Sequence, residues 1–199
     1  MKNIFDELYN RARKLKNNCF LFKSPQSRLQ MIIDFSDYRK PTPLCNLPPG
    51  YTEVRYEAGM ENDWLALLNR DEEFGFWEKE QLLDQIINYL VPNGGILIKF
   101  DNAIIACASI CRFEEFLPSC VLMYVIVNMQ HRGRNIGKYV TEKAIETAID
   151  LNYPSVILRT DDFRLPALHI YYELGFKFDE SEKKYSKKRW KKIEKTIIQ

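Results

Sequence analysis

Histidine is nearly absent: His131 and His169 are the only two among 199 residues. The five cysteines, Cys19, Cys45, Cys107, Cys111 and Cys120, form no C-x-x-C pair. A structural zinc site needs four such ligands at short spacings, so no metal is expected. Long apolar runs are missing too, none approaching the ~20 residues that cross a bilayer. The N-terminus MKNIFDELYNRARKLK lacks the apolar core of a signal peptide, which places the chain in the cytoplasm with no membrane partner. An excess of one charge is lacking as well. A formal net charge of +2 argues against nucleic-acid binding by the protein as a whole, which goes with a clearly basic domain. Two nucleotide motifs also fail. Gly133 to Gly137-Lys138 leaves three residues where a P-loop needs four, and Tyr139 replaces the following Ser or Thr. The same stretch has two glycines where a dinucleotide fingerprint has three.

What remains is an ordinary globular composition, 46% hydrophobic and 28% charged, of a length that fits one domain with an appendage. Cys107 and Cys111 lie an even number of residues apart in a strand-like run and read as small buried residues on one face. The chain is organised around Val121 to Gly137, VLMYVIVNMQHRGRNIG. Its first seven residues have strand-forming character, and the run stops at Asn128. His131, Arg132 and Arg134 surround Gly133, and Ile136-Gly137 open the helical pattern KYVTEKAIETAIDL. A strand passing through a basic, glycine-bearing turn into a helix N-terminus outlines an anion site, because unpaired amides and the helix dipole converge there.

Arg132, Gly133, Arg134, Asn135, Ile136 and Gly137 resemble the acyl-CoA-binding motif of the GNAT superfamily of N-acetyltransferases. Asn135 stands where that motif has a small residue and Met129 where proline is frequent. Asparagine visits left-handed backbone geometry more readily than other side-chain-bearing residues, so the turn survives the change. A second block, Ala167 to Phe176, resembles the family's A-x-x-L-Y-x-x-L-G-F, with Ile170 in place of Leu. The two blocks stand about 30 residues apart in the family's order. The resemblance covers roughly residues 51 to 178.

The resemblance implies an α/β fold (α+β mixed sheet): a central, mostly antiparallel sheet with a βαβ crossover. Residues 47–180 would form the acyltransferase domain, after an N-terminal helical arm (1–46) and before a basic amphipathic tail (181–199). Helical spacing in Asn3 to Lys16 and the Ser24-Pro25 start predict two helices in the arm, 3–16 and 25–35, packing on the core or on a second subunit in a possible homodimer. Pro41, Pro43, Pro48, Pro49 and Gly50 mark a linker. YTEVRY reads as an edge or first strand. Helices follow from Asn62 or Asp63 and over Lys79 to Leu90, the second ending before Pro92. Strands at Ile96–Phe100, Ile104–Phe113 and Ser119–Val127, the first two joined by Asp101-Asn102, form a meander. Strand Ser155–Leu158 completes the crossover, and Gly175 caps the last motif helix. The tail, with eight basic residues from Lys183 to Lys195, reads as a terminal helix or final strand with a solvated face.

By the same resemblance, acetyl-CoA is the co-substrate. Val125, Ile126 and Val127 would pair with its pantetheine arm, and Arg132, Gly133, Arg134, Asn135, Ile136, Gly137 and Lys138 would hold its diphosphate. Tyr171 falls where the family places a general acid for the departing thiolate, with Tyr172 next in register. Asp161, Asp162, Glu72 and Glu73 are open alternatives for the base. The acidic-aromatic stretch Arg70 to Trp77 would either border the acceptor or form a solvated acidic turn with its aromatics tucked beneath, and Arg164 replaces an asparagine often seen on the coenzyme. No cysteine lies within either motif, which favours direct attack by an amine, on a small molecule or a protein, in a ternary complex. A non-catalytic CoA-binding or scaffold protein is the alternative.

Overall fold

A computed structural model of the chain describes residues 29–36, 38, 45–70, 75–179, 189–191 and 193–194. Seven strands form one sheet in the order β2-β3-β4-β5-β6-β1-β7. They are β1 (Leu29–Asp34), β2 (Tyr51–Arg55), β3 (Leu90–Phe100), β4 (Ala103–Cys111), β5 (Cys120–Val127), β6 (Ser155–Thr160) and β7 (Lys177–Phe178). The helices are α1 (Glu61–Leu68), α2 (Lys79–Gln85), α3 (Ile136–Asp150) and α4 (Leu165–Glu173). All neighbouring strands run antiparallel except β5 and β6, whose parallel pairing is linked by α3 as a βαβ crossover.

Local chemistry accounts for most of these elements. Asp101 and Asn102 take φ of 49° and 63°, the left-handed pair that lets a two-residue turn join β3 to β4. In α3, Ile136, Val140, Ala144, Ile145 and Ala148 recur every three to four residues and are buried against the sheet. Leu168, Tyr171 and Leu174 of α4 and its C-terminal end join the same core. The opposite face is covered by α1 and α2 through Trp64, Leu67, Leu68 and Leu82. With both faces covered, β4 is buried almost throughout. Cys107 and Cys111 do share the face away from α3. They and Cys120 are free, buried thiols, whereas Cys45 is only half-buried.

Two elements depart from expectation. The helix expected over 25–35 is a strand where it is described: Leu29–Asp34 pairs along its whole length with β6, Leu29 opposite Thr160 and Asp34 opposite Ser155. Leu29, Met31 and Ile33 are buried, and β7 adds to the strand's other edge. A short apolar run carries no period that separates strand from helix, and here an open sheet edge supplies the backbone partners. The helix expected over 79–90 stops at Gln85, followed by a 3-10 turn at Ile87–Tyr89, and Leu90 already begins β3. Pro92 is therefore accommodated in an irregular strand, where the register shifts between Leu90 and Gly95. Helix 3–16 and most of the tail lie outside the described residues; at the C-terminus, Trp190 and Ile193 pack into the core and Trp190 stacks on Phe178.

Candidate active site

The site begins with a defect in β5. Ile126 faces Cys107 on β4, but Met123 faces Ser109, so Tyr124 and Val125 together oppose one residue. Tyr124 has a φ of 50°, a left-handed kink that turns the strand. On the other edge of β5, parallel pairing covers only Cys120–Leu122 against Val156–Leu158. Past that point β5 and β6 part. Val125, Ile126 and Val127 thus keep β4 on one side and, among the described residues, have no strand partner on the other.

At the mouth of this opening lies the basic turn. Asn128 is buried, and its Oδ1 accepts the Gln130 amide at 3.0 Å, shaping a 3-10 turn over Met129–His131. Gly133 takes a φ of 75° and Asn135 a φ of 60°, the latter just ahead of α3. The first bond of the helix runs from the Tyr139 amide to the Asn135 carbonyl at 2.9 Å, so the amides of Ile136, Gly137 and Lys138 have no intrahelical acceptor. A Cβ on Gly137 would sit 3.6 Å from Ile170 and Val127, an ordinary contact. The open glycine of the turn is instead the exposed Gly133, where a Cβ would meet nothing within 4 Å. Asn128 Nδ2 is buried at the base of the turn without a hydrogen-bond partner among the described residues. Converging free amides, an orphan buried donor and an open glycine together fit a diphosphate.

The basic side chains are committed to different degrees. Arg132 folds back, donating from Nε to the Val127 carbonyl at 2.9 Å. Lys138 pairs with Glu173 at 3.1 Å, tying the first turn of α3 to α4. Arg134 donates through Nη1 to the Tyr51 hydroxyl and has no carboxylate partner among the described residues.

Tyr171 lies on the inner face of α4, 7% exposed, with its ring edge-on to Phe176 at 5.8 Å. Burial pushes its phenol up to about 12, an effect the charge of Arg164 partly opposes. Tyr172 is 37% exposed and lines a separate groove with Phe178 and Trp190. The two carboxylates beyond β6 are already paired, Asp161 with Arg164 at 3.6 Å and Asp162 with Arg189 at 2.8 Å. Glu72 and Glu73 lie outside the described residues. Next to that stretch, Asn69 clasps the backbone of Trp77 twice, at 2.6 and 3.0 Å, and the Trp77 ring meets Tyr124 edge-on at 5.1 Å. The Tyr124 hydroxyl donates to Gln85 Oε1 at 3.1 Å. The kinked residue of β5 is therefore fixed from the α1–α2 side. None of Asn69, Gln85, Tyr124 and Asn128 stands out in sequence; only the strand stop at Asn128 gave a signal.

Residues 61–176 match the family model described as the acetyltransferase (GNAT) family. The chain belongs to the GNAT family. An uncharacterized N-acetyltransferase of Schizosaccharomyces pombe is 28% identical over 151 residues, 74% of this chain and 85% of that protein. A mycothiol acetyltransferase of Thermomonospora curvata is 29% identical over 156 residues, again 74% of this chain but only 50% of its own length. Among solved structures, a GCN5-related N-acetyltransferase from Sphaerobacter thermophilus superposes with a TM-score of 0.62 at 18% identity, covering 76% of this chain and 48% of that one. The chain thus spans about half the length of two of these three relatives. As a GNAT protein it is an acyltransferase, of a family that uses acetyl-CoA as co-substrate and amines as acceptors. Among the described residues no group of three or more His, Cys, Asp or Glu could hold a metal, and no helix is long and apolar enough to cross a membrane.

Proposed function

We propose that this GNAT enzyme moves an acetyl group from acetyl-CoA to an amine, which attacks directly while both substrates are bound. The observation that carries the reading is the opening between β5 and β6, kinked at Tyr124 and ending at the amides of Ile136 to Lys138. Acetyl-CoA supplies an activated acyl thioester. The exposed backbone edge of Val125 to Val127 would align the pantetheine arm as an added strand does. The turn Arg132 to Gly137, with Arg134, would hold the phosphates by amide and guanidinium donors. A backbone amide of the kinked strand facing the carbonyl would stabilise the charge that develops there, an effect worth about 3 kcal/mol in comparable sites.

Tyr171 holds a proton next to the departing sulfur. Passing it fully from a phenol near 12 to a thiolate near 8.5 costs about 5 kcal/mol. The buried hydroxyl therefore serves as a hydrogen-bond donor to the growing negative charge and gives up its proton late. Asp161 and Asp162, each beside an arginine, stand with Glu72 and Glu73 as the candidate bases for the amine; if none of them takes the proton, the rate follows the fraction of acceptor present as free amine.

Thermal melts with acetyl-CoA and with ATP, followed by thiol release across a panel of small and peptide amines, test the reading. Stabilisation by acetyl-CoA alone and amine-dependent thiol release are expected; stabilisation without release from any amine would reduce the chain to a CoA-binding protein.

A further inference from the structure

On the outer flank of the phosphate turn, side chains from three separate segments meet. Arg134 donates to the hydroxyl of Tyr51, the first residue of β2, and that hydroxyl lies 2.9 Å from His131 Nδ1. With the arginine donating to its oxygen, Tyr51 sends its own proton to Nδ1, so the imidazole accepts there and is neutral. The Tyr51 ring packs on Phe100 at 4.7 Å, and His131 stands edge-on to Tyr51 at 5.7 Å and tilted against Phe100 at 5.2 Å. The relay is thus braced by the end of β3. Charged groups facing His131 are Arg134, Arg70 and Asp101; desolvation and then the two arginines hold its pKa below the ordinary histidine value. Of the basic side chains in the turn and first helical turn, Arg132 is spent on a carbonyl and Lys138 on Glu173. Arg134 is held through its Nη1 by the neutral Tyr51 hydroxyl, which fixes its direction without cancelling its charge.

We propose that Tyr51 and His131 are positioning residues for Arg134, holding its guanidinium ready to take a phosphate of the coenzyme. This rests on the coenzyme reading above. A long, exposed arginine otherwise gives up side-chain entropy on binding; the relay removes that loss beforehand. The arrangement also explains why the first residue of an edge strand carries a hydroxyl aimed at a loop some eighty positions later.

A double-mutant cycle on the full-length protein tests this, with CoA affinity measured by calorimetry at pH 7.5. Tyr51→Phe, which keeps the ring on Phe100, should weaken CoA about 5- to 10-fold, and Arg134→Ala about 10-fold or more. In the Arg134→Ala background, Tyr51→Phe should cost less than about 2-fold. A general loosening of β2 would persist there, so a full penalty in that background, or none in the wild type, overturns the proposal. His131→Gln provides the second variant and should track Tyr51→Phe. Repeating the cycle with dephospho-CoA separates the phosphates: a penalty that disappears assigns Arg134 to the ribose phosphate, one that persists to the diphosphate. A wild type that binds no CoA overturns the coenzyme reading itself.

Discussion

At Tyr171, two properties of one side chain pull in different directions. Its burial keeps the phenol protonated at any working pH, and the same burial makes it a reluctant acid. Tyr171→Phe should lower kcat about 10- to 100-fold while leaving CoA affinity within about 2-fold, and the alkaline limb of the wild-type rate below pH 10 should not belong to this group. Pre-steady-state thiol release over pH 6 to 10 checks both. Asn135 is the other telling residue. With a φ of 60° it occupies the geometry that glycine would take at no cost. Asn135→Ala should therefore destabilise by about 1 kcal/mol, and Asn135→Gly should be close to neutral in urea unfolding. The sequence already pointed to this tolerance, because asparagine's preference is a property of the residue itself. The strand kink at Tyr124 was not legible. A bulge is a mismatch between two strands and exists only once β4 has been laid beside β5. The relay from Tyr51 to His131 was hidden for the same reason, its members joined only by the fold.

Among elements, the ones we assign to the coenzyme were also the easiest to read. The β5, turn and α3 succession follows from a β-rich run, a basic glycine turn and a 3.6-residue apolar pattern, each a local signal. The α4 motif was similarly local, ended by Gly175 at a φ of 97°. By contrast, LQMIID offers the same letters to a strand and to a buried helix, and only the vacancy beside β6 decides for the strand. That makes β1 a core component, and truncating one of its buried side chains should say so. Ile33→Ala, at a fully buried position, should cost about 2–4 kcal/mol, read from the shift of the urea midpoint at unchanged slope. A surface arm would lose less than 0.5 kcal/mol.

For the molecule as a whole, the buried acids set the pH range of stability. Tyr38, Tyr56 and Tyr171 are raised to about 12 from 10.0, and Cys107 and Cys120 to about 12 from 9.0, burial being the largest cause in each. Each group folds best protonated. The stability it contributes is complete below its ordinary value and lost as pH climbs through about 12. Glu61 works in the other direction: the hydrogen bond from Tyr56, then the Gly59 amide, lower its carboxyl to about 2 from 4.5. That contribution is complete above the ordinary value and lost as pH falls toward 2. Melting temperature plotted against pH should thus be flat from about 7 to 9 and fall on both sides, the acid side beginning as His131, lowered from 6.5, is driven to take a proton and steepening toward 2, where Glu61→Gln should soften it.

The place of β1 also bears on how the chain is made. A ribosome delivers Leu29 to Asp34 early, yet the residues they sit beside emerge more than a hundred positions later, and β7 can attach only after both. Until then a greasy hexapeptide waits uncovered while the central meander closes on its own short-range turns. Nascent chains released before position 160 would keep that segment available to chaperones or to other unfinished copies, and the sheet would be sealed at its far edge only once Lys177 and Phe178 had emerged.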